Sequence, residues 1–163
     1  MTTARGVPLL LLVASAAVVG AALLSQYVGG LQPCELCLYE RWPYYGVVVL
    51  TLLALAAGQS FLSRAVIAVA ALVFLAGAVL AFYHVGVEQH WFTGPTACTG
   101  NSLAGGSIAD LKAQLLAQQV VRCDVPQWSL FGVSLAGWNL LASLALAAGS
   151  IAALRRPALW RPA

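Results

Sequence analysis

Pro33-Cys34-Glu35-Leu36-Cys37-Leu38-Tyr39-Glu40-Arg41-Trp42-Pro43 is the stretch around which the chain is organised, with two cysteines at the start of an apolar segment. Two thiols at this spacing can close a small, reducible disulfide, and a thiolate is stabilised near a helix N-terminus or a cation. Arg41 follows Cys37 by four residues, so on a continuous helix it would lie on the same side as that sulfur. The pattern indicates a redox-active pair.

The composition is typical of an integral membrane protein. Of the 163 residues, 61% are hydrophobic and 8% are charged, whereas a soluble domain of this size needs a polar exterior. Eight basic and five acidic residues leave a net charge of +3, which is too little and too scattered for a nucleic-acid-binding surface. We therefore expect residues 1–163 to form a single membrane domain. Its expected partner is the lipid bilayer, and we expect no nucleic-acid partner.

Four apolar segments are candidate membrane spans. Residues 7–28 form an uncharged run that is long enough to cross a hydrocarbon core of about 30 Å. A signal peptide is the competing interpretation, but its apolar region would have only about 7 to 15 residues. Further spans are predicted at about 42–57, 65–82 and 130–154. The second segment is short for a membrane span, but it can cross the bilayer if the aromatic residues at its start lie in the headgroup layer. The expected fold class is all-α, a bundle of four transmembrane helices.

The basic residues predict how this bundle is oriented. Four spans place both termini on one side, and the positive-inside rule makes that side cytoplasmic because it carries Arg5, Arg64, Arg155, Arg156 and Arg161. The loops at about 29–41 and 83–129 then face the periplasm and carry all four cysteines, Cys34, Cys37, Cys98 and Cys123, together with all five acidic residues, among them Glu40. An oxidising compartment favours disulfides, but four cysteines allow three complete pairings. The resting pairing stays open.

The longer loop contains a candidate helix. Ser107-Ile108-Ala109-Asp110 is a variant of the capping box, and Ile108, Leu111 and Leu115 would share one face. Such a helix could lie on the membrane surface or be an ordinary amphipathic loop helix. The sequence favours neither alternative.

The segment from Cys34 to Arg41 has the pattern Cys-x-x-Cys-x-x-x-Arg, and on this motif the chain resembles the bacterial disulfide bond formation protein B (DsbB) family. A second cysteine pair before the last span and the stretch Pro126-Gln127-Trp128-Ser129-Leu130-Phe131-Gly132 add to the resemblance, which covers essentially the whole chain. The stretches Tyr83-His84-Val85-Gly86-Val87-Glu88 and Gly94-Pro95-Thr96-Ala97-Cys98 are similar to the alphaproteobacterial branch.

This resemblance implies an oxidoreductase of the bacterial inner membrane that couples a protein dithiol to a quinone. It would reoxidise a DsbA-like periplasmic partner of the thioredoxin fold and reduce ubiquinone or menaquinone from the membrane pool. By the same resemblance, Cys98 would be attacked by the partner's thiolate and Cys123 would be the sulfur released. Cys34 would exchange with the loop pair, and Cys37 would donate electrons to the quinone.

Two further residues are assigned to the quinone by the resemblance. Arg41 would stabilise the Cys37 thiolate and help to position a quinone carbonyl, and His84 would lie near the headgroup at the outer end of the third span. An arginine that faces lipid headgroups and a histidine that sits at the membrane interface are the alternatives for these two positions.

Three other interpretations of the cysteines remain. The protein could be an oxidase for a dedicated partner, or a non-enzymatic membrane scaffold stapled by permanent disulfides. A four-cysteine zinc site is disfavoured because 24 residues separate Cys98 from Cys123, whereas structural zinc ligands come in closely spaced pairs. We therefore expect no metal.

Overall fold

A computed structural model describes residues 3–58, 60–95 and 121–160, and most of these residues are helical. The helices are α1 (Thr3–Tyr27), α2 (Glu35–Tyr39), α3 (Trp42–Ala57), α4 (Ser60–Glu88) and α5 (Leu135–Leu154). Two short strands, β1 (Ser129–Leu130) and β2 (Val133–Ser134), precede α5, and a 3-10 turn (Pro157–Trp160) follows it. Cys98 and the loop helix expected around residues 107–116 lie outside the described residues.

Within the described ranges, three helices are long and apolar enough to cross a membrane. They are formed by Arg5–Tyr27, Phe61–Glu88 and Leu135–Leu154. The helix α3 coincides with the span expected at 42–57, but its 16 residues are fewer than the roughly 20 of an ordinary span. A membrane protein with three such helices follows, and the fourth crossing remains a prediction.

The long helices pack around a core of large and small side chains. The helix α4 packs along α5 and also contacts α3, and α1 packs on α3. Tyr44, Ile67 and Phe74 are fully buried at the centre. A Cβ added to Gly77 would lie 3.2 Å from Cγ of Pro43, so this glycine lets α4 and the first turn of α3 approach closely, as small residues do between membrane helices.

The start of α1, the end of α3 and the 3-10 turn after α5 lie together at one end of the bundle. Gly58 ends α3 with a φ of 68°, and a Cβ added there would lie 2.7 Å from the guanidinium of Arg5. The 3-10 turn after α5 contacts α1 and α4, and the indole of Trp160 donates a hydrogen bond to the carbonyl of Ala153 at 3.0 Å. Because α2 follows the other end of α1, the cysteine motif lies at the opposite end of the bundle.

The borders of two helices differ from the sequence expectation. The helix α4 continues to Glu88, six residues beyond the expected span, so His84 lies on a helix and not in the loop. The helix α5 begins only at Leu135, because the apolar residues before it form an antiparallel hairpin. Phe131 and Gly132 have φ angles of 54° and 78°, which suit a two-residue hairpin turn. Hydropathy does not distinguish this hairpin from the start of the helix.

Candidate active site

The two cysteines of the motif form a reduced pair at the start of α2. Cys34 occupies the N-cap position, and its sulfur accepts a hydrogen bond from the backbone N–H of Cys37 at 3.2 Å. The two Sγ atoms lie 2.8 Å apart, and both thiols are free. Cys34 is buried and Cys37 is partly buried. The local helix therefore holds a dithiol in contact, ready to close a disulfide.

The first proton of this dithiol leaves Cys34. The hydrogen bond from the Cys37 thiol lowers the pKa of Cys34 against the opposing effect of burial, and the Cys37 backbone N–H adds to the lowering. The same sulfur–sulfur contact, together with burial, raises the pKa of Cys37. A thiolate at an N-cap is also favoured by the helix dipole. Of the two thiols, Cys34 is therefore the one that ionises more readily.

Arg41 is placed differently from the expectation of a continuous helix. The motif is not one continuous helix, because α2 ends at Tyr39 and Arg41 is the N-cap residue of α3. Its guanidinium donates a hydrogen bond to the side-chain oxygen of Gln26 on α1 at 2.7 Å. Arg41 nevertheless lines the same cavity as Cys37, so a role toward a ligand in that cavity stays a prediction.

A buried imidazole and a buried carboxylate lie beside Cys34. Nε2 of His84 is 3.6 Å from Sγ of Cys34, and Nδ1 of His84 is 2.8 Å from Oε1 of Glu40. The three residues are only 3%, 2% and 6% exposed, in the order Cys34, His84 and Glu40. Sequence reasoning placed His84 near the site but missed Glu40, which it counted only among the acids of the periplasmic side. The signal that could have identified Glu40 as a site residue is its position directly before Arg41 at the end of the motif.

The carboxylate of Glu40 is held by a chain of polar groups from α3 and α5. Asn139 donates from Nδ2 to Oε2 of Glu40 at 3.0 Å. The hydroxyl of Tyr44 donates to Oδ1 of Asn139 at 2.6 Å and lies 2.8 Å from Oγ of Ser143. Sequence reasoning missed this chain, because a lone asparagine and a serine within an apolar run give no signal for a shared partner on another helix.

A disulfide-bonded sulfur lies against the dithiol. Cys123 is disulfide-bonded and 1% exposed. Its sulfur, Sγ of Cys34 and a ring nitrogen of His84 all lie within 4.8 Å of one another. Grouped cysteines and histidines can hold a metal ion, but a sulfur in a disulfide is not a thiolate ligand. In this redox state the arrangement suits thiol–disulfide exchange between Cys34 and Cys123.

A cavity of about 370 Å³ opens beside these groups. Apolar side chains of α1 and α5 form much of its wall, including Val18, Val19, Ala22, Leu135 and Ala142. The polar and sulfur-bearing groups on the wall include Cys34, Cys37, Glu40, Arg41, His84 and Asn139. The volume falls within the range of about 300–1,000 Å³ found for small-molecule sites. The cavity can therefore hold an apolar molecule with a few polar atoms directly against both thiols.

The segment before α5 forms part of the cavity wall. Oγ of Ser134 donates to Oε2 of Glu88 and accepts from the backbone N–H of Gly137, which joins the end of α4 to the start of α5. Arg122, another lining residue, pairs with Asp124 and lowers the pKa of that carboxyl group. These contacts fix one wall of the cavity to the same helices that carry His84 and Asn139.

Comparison with known proteins gives a consistent result. The sequence model of the family described as disulfide bond formation protein DsbB matches residues 4–153. The chain is 31% identical to the disulfide bond formation protein B of Ralstonia nicotianae over 152 residues, which cover 91% of this chain and 92% of that protein. It is 31% identical to the protein of the same description from Haemophilus influenzae (strain 86-028NP) over 140 residues, which cover 82% of this chain and 76% of the relative. An uncharacterised protein of Rickettsia prowazekii is 28% identical over 141 residues, which cover 85% of this chain and 80% of that protein.

Proposed function

The chain belongs to the disulfide bond formation protein DsbB family, and from this premise we propose that it reoxidises a DsbA-like dithiol protein of the periplasm and passes the electrons to a membrane quinone. Its activity is that of a protein-dithiol:quinone oxidoreductase. It works in the bacterial inner membrane, where four spans place both termini in the cytoplasm and all four cysteines in the periplasm.

One observation carries this proposal. The free dithiol of Cys34 and Cys37 lies between a disulfide-bonded sulfur, that of Cys123, and a cavity with apolar walls. A dithiol in this position can receive electrons on one side by exchange and lose them on the other side to a bound acceptor. A permanent structural disulfide needs neither neighbour.

The cavity suits the headgroup of a quinone. Apolar side chains of the membrane helices α1 and α5 form part of its wall, and both thiols, Arg41 and His84 line it as well. A bound quinone supplies an acceptor for two electrons and two protons. Arg41 and His84 are the residues that would hold its oxygens, and Cys37 is the thiol that would face it. Ubiquinone and menaquinone both meet these requirements.

The electron route follows from disulfide exchange. The partner's thiolate attacks Cys98, a mixed disulfide forms, and the disulfide between Cys98 and Cys123 breaks, which releases Cys123 as a thiolate. Cys123 then attacks Cys34 of the oxidised pair and releases Cys37 as a thiolate into the cavity. A second thiol of the partner then resolves the mixed disulfide and frees Cys98, which attacks Cys123, re-forms the Cys98–Cys123 bond and releases Cys34. Each of these steps forms one S–S bond and breaks another, so an oxidant is needed only at the end of the cycle. A bound quinone would take two electrons and two protons from Cys34 and Cys37 as their disulfide closes again.

Two alternatives compete with this proposal. An oxidase for a dedicated partner would use the same cysteines, and only the identity of the donor distinguishes it. A scaffold stapled by permanent disulfides would have no use for a cavity against its cysteines, so the position of Cys34 and Cys37 on a cavity wall favours an enzyme.

The test is quinone reduction by the purified protein, with a reduced DsbA as the donor and a short-chain ubiquinone as the acceptor. We expect turnover by the native chain and none by Cys37→Ser or Cys98→Ser. Cys98→Ser should fail to form the mixed disulfide with the donor, and Cys37→Ser should leave the quinone oxidised. The proposal is wrong if the native chain shows no reduction of quinone that depends on the dithiol, whereas turnover with only one particular donor would favour the dedicated oxidase.

A further inference from the structure

We infer that His84, oriented by Glu40, is the proton acceptor for the Cys34 thiol, and that Asn139 and Tyr44 are positioning residues for this pair. The inference rests on the proposed function and deepens it, because it names the groups that move the proton of the exchanging sulfur. It goes beyond the expectation that His84 contacts a quinone, since the imidazole here lies against a thiol.

The direction of each hydrogen bond follows from Glu40. An ionised carboxylate only accepts hydrogen bonds, so Nδ1 of His84 and Nδ2 of Asn139 must both donate to it, at 2.8 and 3.0 Å. The amide oxygen of Asn139 must then face Tyr44 and accept from its hydroxyl, at 2.6 Å. The Tyr44 oxygen is left to accept from Ser143, 2.8 Å away. The chain of bonds is therefore directed from Ser143 to the carboxylate.

This direction determines the tautomer of the imidazole. A neutral His84 that carries its proton on Nδ1 has a bare lone pair on Nε2, and Nε2 is the atom that lies 3.6 Å from Sγ of Cys34. The imidazolium that forms after proton transfer lies between the Glu40 carboxylate and the new thiolate, so both partners stabilise it. The order thiol, imidazole and carboxylate is the arrangement of an activated nucleophile and its oriented base.

The step is balanced. The S–H bond of Cys34 breaks, an N–H bond forms at Nε2 of His84, and no electron moves. In the direction of the proposed route, Cys34 leaves Cys123 as a thiolate, and His84 accepts the proton of the Cys34 thiol when the Cys34–Cys37 pair closes again. In the reverse direction, the Cys34 thiolate attacks the sulfur of Cys123, which forms the Cys34–Cys123 bond while the sulfur previously bonded to Cys123 leaves as a thiolate. Burial of all three groups keeps bulk water from replacing the imidazole as the acceptor.

Other titratable groups surround His84 and enter the test. The fields of Cys37 from the α2 segment and of Glu88 from α4 itself act on the imidazole. Charged groups that line the same cavity are Arg41 and Arg122. Of these, Glu88 is the one other base, so a variant at that position is required as a comparison.

The primary measurement needs no quinone. In a Cys98→Ser/Cys123→Ser background only Cys34 and Cys37 remain as thiols, and the ultraviolet absorbance of the thiolate can be followed against pH. We expect His84→Gln to move the first ionisation upward by about one pH unit or more, the size of shift that a nearby opposite charge produces. Glu88→Gln and His90→Gln should leave it in place. An unchanged midpoint in His84→Gln, or a shift in Glu88→Gln alone, would overturn the inference.

The second measurement is the pH dependence of turnover with the four native cysteines present. Loss of a general base costs about 100-fold or more, and the rate of His84→Gln should rise about tenfold per pH unit as Cys34 ionises unaided. Glu40→Gln should show the same slope with a smaller loss, and Glu35→Gln is its matched control. A loss without a change of slope would mean a structural role and refute the inference.

The two readouts separate this inference from the proposed function. If the native chain reduces no quinone but the ionisation shifts in His84→Gln, the base assignment stands and the quinone assignment fails. If the native chain and His84→Gln both turn over with the same pH profile, the function stands and the base assignment fails. Should His84→Gln not fold, Glu40→Gln provides the same titration.

Discussion

Asn139→Leu tests whether the polar chain behind the dithiol is an energetic unit. Leucine has nearly the size of asparagine but makes no hydrogen bonds, so the variant removes the 3.0 Å bond to Glu40 and the 2.6 Å bond from Tyr44. A hydrogen bond to a charged group contributes about 1.5–3 kcal/mol and a neutral one about 0.5–1.5 kcal/mol. In this variant, Glu40 retains its hydrogen bond with His84, and Tyr44 retains its hydrogen bond with Ser143. We therefore expect a loss near the lower end of the sum, about 2–3 kcal/mol.

The competing expectation comes from hydrogen bonds between membrane helices in general. Their measured average is about 0.6 kcal/mol, which for two bonds would be about 1.2 kcal/mol. The charge on Glu40 is the reason to expect more, because an apolar neighbour leaves part of a buried carboxylate unsolvated. The same variant should also lower the rate of dithiol oxidation, since Glu40 is then free to turn away from His84.

The assay is reversible unfolding of the purified protein in mixed detergent micelles, followed by circular dichroism. Ser150→Ala is the matched control on α5, because among the described residues the hydroxyl of Ser150 bonds only to the carbonyl of Leu146 in its own helix, at 2.7 Å. We expect a change below about 0.5 kcal/mol for this control. If Asn139→Leu loses no more free energy of unfolding than Ser150→Ala, the network contributes nothing and the reasoning is refuted.

Two further predictions concern the sulfurs and the arginine. In Cys37→Ser, the sulfur of Cys34 lies within 4.8 Å of that of Cys123, so a disulfide between them should accumulate and be found by mass mapping of unreduced peptides. In Cys34→Ser, the matched variant, a Cys37–Cys123 disulfide should stay minor, and equal trapping in both would contradict the geometry. Arg41→Gln should raise the KM for quinone about tenfold by removing a charge-assisted hydrogen bond, whereas Gln26→Leu, which removes only the partner of the 2.7 Å bond, should not. Equal effects of these two variants would assign Arg41 a purely structural role.

Much of the architecture was accessible from local patterns. The helix α3 lies at the residues expected for the second span, 42–57, because an apolar run bounded by Pro43 and Gly58 specifies a helix through nearest neighbours alone. The borders of α4 and α5 were not accessible in this way. Tyr83 and His84 read as polar loop residues although they continue a helix, and the hairpin at residues 129–134 is as apolar as the helix that follows it.

The site was accessible only in part. The cysteine motif predicted redox chemistry, because its two cysteines lie only three positions apart in the sequence. The partner of Arg41 was not accessible, since Arg41 lies in the turn between α2 and α3 and its side chain bonds to Gln26 of α1. Glu40 was counted only as an acid of the periplasmic side, yet it is 6% exposed and bonded on both sides.

The sequence by itself determined that this is a membrane protein with apolar helices and a reactive cysteine pair, because hydropathy, turn residues and a four-residue motif all act over short distances along the chain. Only the tertiary structure decided that His84, Glu40, Asn139 and Tyr44 lie behind Cys34. Those side chains come from α3, α4, α5 and the turn after α2, up to 99 residues apart. Their chemistry depends on distances of about 3 Å that arise only when the helices pack and exclude water.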